Sequence, residues 1–521
     1  MPLTILLFVI MFISIARFLN KKSSRNSHSL LPPGPTPLPF IGCAIQMLLN
    51  KPTFRWIHNL MDQLHTPILC VRLGPSTHVI VVSSPDLARE ILKKQDEKFI
   101  SRPDIMSAYL ISDGYLATIM SPEGEQWRKM RRIMKLELLS SPIHKWLQPK
   151  RDEEADQLVK YIFNQMKKQK NDTVDHSALI NVRNVTQHFF CNIMRNMIFG
   201  RRFFGRGMED GGPGEEETEH VDAILTMLKY VYAFCVSDYF SWLRGKADFD
   251  GHEKSMRTAI ATVRKYQDPL IDERIRMSKN GAAMDRCDLL DVLIQLDNPK
   301  LTPEEIKAQV IELMIATIDN PSNAVEWIIG ELINDPMILR RASDELDHVV
   351  GRDRLVEEQD LPQLNYIKAC IKEGFRLHPF APFIPPHVST TETTIGGYFI
   401  PKGSHVHLSR FGLGRNPNVW EDPLRFNPDR HLCWGGKQVV LSDNELRMIP
   451  FSSGKRVCPG MMLGSTMTIM LLARMVQGFT WEVPGNKRCV DLVENHDDLL
   501  LAKPLVAVAK PRLPRYMYPK Y

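Results

Sequence analysis

No two of the nine cysteines in this 521-residue chain stand in a C-x-x-C pair. Their odd number and wide scatter argue against a disulfide framework or zinc ribbon and point to reduced thiols in a cytosolic setting. One-sided charge is also scarce: 66 Lys+Arg stand against 60 Asp+Glu, a formal net charge of +6. No basic stripe interleaved with aromatics accompanies that excess, so no nucleic acid is expected as a partner. An anionic membrane surface or an acidic protein is compatible with it. There is no internal repeat. Residues 1–19 carry a single charged side chain, Arg17, in an apolar run. No basic region precedes the run and no small-residue cleavage site follows it, which speaks against a removed signal peptide. With Lys21, Lys22 and Arg25 behind it, the segment 1–20 reads as a single-pass transmembrane anchor that leaves the remainder cytosolic. Residues 21–40 read as a basic, proline-rich linker. Its core, Leu31-Pro32-Pro33-Gly34-Pro35-Thr36-Pro37-Leu38-Pro39, is too proline-dense for helix or sheet and is expected to act as a semi-rigid spacer. The rest, 41–521, reads as one catalytic domain, and 44 % hydrophobic residues suffice for a large core.

The stretch from Pro450 to Gly460 holds one cysteine in the pattern F-x-x-G-x-R-x-C-x-G, directly ahead of an apolar segment at 461–479. A thiolate is an electron-donating axial ligand for haem iron and favours O–O cleavage. Gly454 and Gly460 let the backbone turn tightly and approach a flat cofactor. Arg456 offers a cation to a haem propionate. Pro459 opens a helix whose N–H groups and dipole aim at the sulfur, keeping it a thiolate. The bland alternative is a structural cysteine in a loop.

This motif, with Phe451 and Cys458 at its two ends, resembles that of the heme-thiolate monooxygenases, the cytochrome P450 superfamily. Glu373-Gly374-Phe375-Arg376 matches its E-x-x-R, whose i,i+3 spacing pairs acid and guanidinium on one helix face. Phe426-Asn427-Pro428-Asp429-Arg430 is similar to the element that adds a second arginine to the same cluster. Trp127 and Arg131 resemble the helix that brings an indole N–H and a guanidinium to a propionate, and His387 sits at another propionate-binding position. The resemblance runs from about residue 32 to Tyr521. It implies a mainly α fold with a small β region, preceded by one membrane-anchor helix. It also implies heme b (iron protoporphyrin IX) on Cys458, and electrons from NADPH through NADPH–cytochrome P450 reductase. The location implied is the endoplasmic reticulum membrane.

Local signals place the elements. Ile68 to Leu73 and Val79 to Val82 read as strands. Thr302-Pro303-Glu304-Glu305 is a capping box opening a helix of some thirty residues to Asn334, and Asp335-Pro336 opens the next. A further helix is expected over Gln363 to Leu377, and strands with a Gly396-Gly397 turn over Thr394 to Leu408. Residues 207–219 read as a solvated, mobile loop.

The long helix departs from the superfamily's A-G-x-D/E-T. It reads Ala316-Thr317-Ile318-Asp319-Asn320-Pro321-Ser322-Asn323, with Thr317 at the glycine position and Asn320 at the hydroxyl position. Pro321 cannot donate to the carbonyl of Thr317 and is expected to kink the helix into a polar notch. The bland reading is a simple bend, with Asn320 mending the ladder. Asp319 to Asn323 resembles the plant amino-acid N-hydroxylases, which form aldoximes, as do the segments 378–383, 401–405 and 412–417. Ile384-Pro385 departs from that group. The resemblance implies that an amino acid is hydroxylated twice on nitrogen and loses CO2 and water. Asp319 is then the proton relay and Asn320 the hydrogen-bond donor to activated oxygen, with Thr317 beside them. Other readings are an O2-independent heme-thiolate dehydratase or isomerase, a monooxygenase of another specialised metabolite, and a non-catalytic membrane protein that binds haem or lipid. The expected pocket walls are 105–115, 227–240, 311–315, 380–384 and 499–501, which leave the substrate side chain open.

Overall fold

The structure is a computed structural model that describes residues 30–168, 177–281, 285–432, 438–485 and 487–518. The proposed anchor, 1–20, lies outside the described residues. Among those described, no helix is long and apolar enough to cross a membrane.

Helices dominate. The longest, Pro303–Asn334, starts as its capping box predicts: the Glu305 N–H donates to Thr302 Oγ1 at 3.2 Å, and the Thr302 N–H donates to Glu305 Oε2 at 2.9 Å. Asp335 ends it and caps the next helix, Pro336–Val349, accepting from the Met337 and Ile338 N–H groups. The long helix runs through the core against three others: Val182–Phe199, Asn365–Leu377 and Met461–Gly478. Val182–Phe199 is buried on nearly every face, its polar side chains Thr186, His188, Asn192, Arg195 and Asn196 included.

The β content forms a four-stranded sheet in the spatial order Ile68–Leu73, Thr77–Val82, His405–Leu408, His387–Val388. Only Thr77–Val82 with His405–Leu408 is parallel, in the register Val79 to His405 and Val82 to Leu408. Thr393–Ile395 and Tyr398–Ile400 make the expected hairpin, turning at Gly396 and Gly397 with φ +57° and +83°. A three-stranded sheet, Ala178–Asn181, Val506–Pro511 and Phe479–Glu482, joins the end of the chain to the middle.

Two expectations need revision. The 207–219 stretch is not a solvated loop throughout, because a helix begins at Glu215. Within it Glu217 is fully buried, accepting the N–H groups of Phe204, Gly205 and Gly214 at 2.7–3.0 Å. Those donors satisfy a carboxylate that composition alone assigns to water. The described part of the proline-rich segment is not free-standing. Cys70 N–H donates to Pro33 O at 2.8 Å, tying it to the four-stranded sheet, and Phe399 N–H donates to Leu30 O at 3.0 Å, tying its start to the hairpin.

Under the long helix lies the charged cluster that the E-x-x-R spacing predicts. Arg376 Nη2 and Nε reach the two Glu373 oxygens at 2.7 and 2.8 Å. Arg430 Nε joins at 3.1 Å, and His431 Nε2 lies 2.8 Å from Oε2. Arg376 Nη1 donates to Gly414 O and Pro423 O, both at 2.6 Å. Burial pushes the Glu373 carboxyl up, but the bonds from Arg376 and His431 outweigh it and hold it down at about 2. The cluster welds the helix to segment 414–431.

Candidate functional site: a thiolate loop under a cationic rim

The Cys458 loop is closed by its own backbone. Cys458 N–H donates to Phe451 O at 2.9 Å and Val457 N–H to Gly454 O at 3.1 Å. Phe451 stands edge-on to Phe375, with centroids 6.0 Å apart. Gly454 has φ +74°, and a Cβ on it would lie 2.5 Å from Leu92 O, so only glycine fits. Gly460 serves differently from the expectation. Its φ is −89° and a Cβ would meet nothing nearer than 3.9 Å, so its contribution is its N–H, directed at the sulfur. The helix start does not by itself hold a thiolate. Burial pushes the Cys458 thiol up, against the downward pulls of the Gly460 N–H, Arg131 and Arg410. A metal at Sγ displaces the proton outright.

A cavity of about 1900 Å³, counting its open mouth, stands over this loop. Cys458, Phe451, Arg456 and Gly460 line it, as do Trp127, Arg131, Thr317, Asn320 and Pro321. Three guanidiniums, Arg102, Arg131 and Arg456, gather at one side of it. Among the described residues none of the three has a carboxylate within ion-pair distance. Arg456 donates to Ile100 O at 2.6 Å and Ser121 O at 2.9 Å, lies 4.0 Å over the Trp127 ring, and leaves Nη1 without a partner. Burial, then Arg102 and Arg131, push Arg456 down to about 8. Arg102 is spent on Pro385 O and Pro386 O, and burial pushes it to about 9. Arg131 donates to Val457 O and Lys455 O, bracing the thiolate loop. His387 is buried beside Arg102 and Arg456 but does not line the cavity. Its Nδ1 meets Phe99 O at 2.6 Å and its Nε2 is unpartnered. With Nδ1–H donating, Nε2 becomes a donor only in the imidazolium, which burial disfavours and an adjacent carboxylate would restore. A buried cation cluster with orphaned donors fits a dianionic group, and a cysteine on the cavity floor fits its metal. These residues would suit heme b, with Cys458 placed to ligate the iron and Arg456, beside Arg102 and His387, able to meet a propionate through its unpartnered Nη1.

Across the cavity the long helix continues through Pro321. Thr317 Oγ1 donates to Leu313 O at 2.7 Å and Ser322 Oγ to Ile318 O at 2.6 Å. Asn320 Nδ2 reaches Ala316 O at 3.4 Å, and its Oδ1 is buried without a partner. The side chain thus bonds the helix weakly and leaves one polar atom unspent at the cavity. The Asp319 side chain lies outside the described part.

Four of the five expected wall segments contribute, through Ala108, Ile111, Leu228, Tyr232, Leu313 and Phe380 among others. Residues 499–501 do not. Leu499 packs into another core, its carbonyl accepting from Trp327 Nε1 at 3.0 Å. Two cationic lining residues, Arg102 and Arg410, stand outside every stretch that the sequence marks. Arg102 carries no sharper signal than a cation in the mixed run Phe99-Ile100-Ser101-Arg102-Pro103-Asp104. Glu312 sits inside an expected wall yet is a clamp, accepting the N–H groups of Thr118, Ile119 and Met120. Burial pushes its carboxyl up to about 7. Arg410 had no signal beyond its place after a strand.

The family model Cytochrome P450 matches residues 32–508. "Valine N-monooxygenase 1" of Manihot esculenta is 52 % identical over 99 % of this chain and 94 % of its own length. "Tyrosine N-monooxygenase" of Sorghum bicolor is 48 % identical over 99 % and 95 %, and "Phenylalanine N-monooxygenase" of Arabidopsis thaliana 49 % over 99 % and 98 %. With its thiolate loop, cationic rim and E-x-x-R cluster in place, the chain belongs to the cytochrome P450 family.

Proposed function

We propose that this protein is an amino-acid N-monooxygenase that hydroxylates its substrate amine twice, after which loss of water and CO2 leaves an aldoxime. The observation that carries this reading is that Thr317, Asn320 and Pro321 line the same cavity as Cys458, with Asn320 Oδ1 unpartnered. Relatives that share about half of the sequence are named for N-oxygenation of amino acids. Heme b, when bound, supplies O2 activation with electrons originating from NADPH. The chain's own part is to bind, orient and deliver protons. Cys458 would hold the metal, and Arg456 with Arg102 and His387 would meet the carboxylate edge. The apolar walls Leu313, Leu228 and Phe380 exclude water from the substrate side chain. Asn320 offers a hydrogen bond at the reacting face while Thr317 keeps the helix intact one turn earlier. An amide is no acid near neutral pH, so protons come through water and Asp319.

The electron donor in this reading is a membrane-bound NADPH–cytochrome P450 reductase, which exposed Arg128, Arg132 and Lys135 on the loop side favour. Residues 1–20 would anchor the enzyme in the endoplasmic reticulum membrane with the domain cytosolic. Exposed Phe40, Leu49, Trp242 and Phe249 suit a surface resting on lipid. The test is reconstitution with reductase and NADPH, feeding a panel of amino acids and detecting oximes by mass spectrometry. Product formed without NADPH would instead indicate the dehydratase or isomerase reading. Protease added to intact microsomes should digest the domain, and full protection would place it in the lumen.

A further inference from the structure

Arg410 is the one guanidinium on the cavity wall that the cationic rim does not account for. The rim residues neighbour one another: Arg456 feels Arg102 and Arg131. Arg410 is not among those neighbours; it lies near Tyr232, which Arg102 also feels, and near the Cys458 thiol, which Arg131 also feels. It follows the strand His405–Leu408, on a turn where Ser409 Oγ accepts the Gly412 N–H at 2.7 Å. Only 8 % of its surface is exposed. Its guanidinium lies 4.1 Å over the Phe380 ring, and Tyr232 hydrogen-bonds to it. Tyr232 and Phe380, themselves 6.2 Å apart between ring centroids, both line the cavity. Its backbone partners are neutral carbonyls, Phe383 O at 3.1 Å and Ile449 O at 3.4 Å. Among the described residues no carboxylate lies within ion-pair distance of it. A buried cation with only neutral partners is costly, and a bound anion relieves that cost.

We infer that Arg410, with Tyr232 beside it, binds the α-carboxylate of the amino-acid substrate and so directs its amine toward the Cys458 side of the cavity. The inference rests on the amino-acid reading above. A guanidinium only donates, and its planar fork matches a carboxylate. The surrounding wall of Phe380, Leu228, Leu313 and Ile315 offers the substrate side chain no comparable handle. An anchor on the group that every amino acid shares leaves side-chain choice to those apolar residues. It also means that a ligand lacking the carboxylate loses the anchor while keeping every other contact.

The experiment is a spectral binding titration of the full-length holoenzyme. The probes are L-valine, L-isoleucine, L-phenylalanine, L-tyrosine and L-tryptophan, each against the amine that remains when its carboxylate is removed. Arg410→Gln should weaken the amino acid that binds best by about tenfold to a hundredfold, with the matched amine changed less than about twofold. Arg410→Lys should fall between, and Tyr232→Phe should weaken the amino acid by a few-fold. These two variants carry the test if Arg410→Gln fails to retain haem, checked by the CO difference band. Equal weakening of acid and amine would make Arg410 a structural brace and overturn the inference, as would unchanged amino-acid binding. In either case the amino-acid reading stands. If the parent enzyme binds no amino acid at all, both fall together.

Discussion

A cysteine, an asparagine and three arginines carry the proposed chemistry of the cavity, and they are not equally legible in the sequence. Cys458 and Arg456 announce themselves because fixed spacing in a closed loop leaves them few alternatives. Arg102 and Arg410 do not, since what makes them functional is burial without a carboxylate, a property of packing. Cys458→Ala should leave a folded chain whose reduced, CO-treated form lacks the red-shifted Soret band of a thiolate-ligated haem. Retention of that band would assign the ligand elsewhere. Asn320 is a finer case, because Nδ2 already reaches Ala316 O at 3.4 Å while Oδ1 has no partner. A threonine hydroxyl can make the same back-bond to a carbonyl one turn earlier. If helix repair is all Asn320 does, Asn320→Thr keeps oxime yield per NADPH. If its amide acts at the reacting face, as proposed, coupled yield should fall about tenfold to a hundredfold while NADPH consumption continues.

Elements were legible wherever a local rule fixes an end. The Thr302 capping box and the Asp335-Pro336 start fall where the sequence puts them, and so does the Gly396-Gly397 turn. Segment 207–219 departs from the expectation because its acidic residues look solvated, whereas Glu217 accepts the N–H of its own N-cap, Gly214, and those of Phe204 and Gly205 in the preceding loop. The E-x-x-R pair was read correctly. Its size was underestimated, because His431 stands one residue beyond the quoted motif and reaches Glu373 only in the fold. This cluster makes a pH-dependent prediction. The folded Glu373 carboxyl lies at about 2, below its ordinary 4.5. Its contribution is therefore complete above about pH 4.5 and is lost as the pH falls from there toward 2. Glu373→Gln strands Arg376 in the core and should cost about 3–5 kcal/mol near neutral pH. By thermal or urea unfolding, the gap between parent and variant should narrow at pH 3. A gap that does not change with pH would mean that the carboxylate charge is not what the cluster uses.

At the scale of the molecule, the proline-rich segment shows what composition cannot say. Its prolines exclude helix and sheet, and both exclusions hold, yet a chain without regular structure can still be part of a folded body. Gly34 lies so close to the first sheet that a Cβ on it would fall 1.8 Å from Cys70 O. Arg72 Nη2 donates to Leu38 O at 2.5 Å, and Cys43 N–H donates to Arg72 O at 2.7 Å. The segment therefore covers the backbone of strand Ile68–Leu73, which pairs on its other edge with Thr77–Val82 and would otherwise present an open edge. Two truncations separate tether from strap. Removing residues 1–29 should leave the haem spectrum and melting temperature of the domain nearly unchanged while releasing it from membranes. Removing residues 1–42 leaves the Cys70 N–H unpaired and takes away the Leu38 carbonyl to which Arg72 donates. An unsatisfied buried N–H costs about 1–3 kcal/mol. The longer truncation should therefore melt several degrees lower and lose haem sooner. Equal melting of the two forms would make the segment a passive leash lying on the sheet.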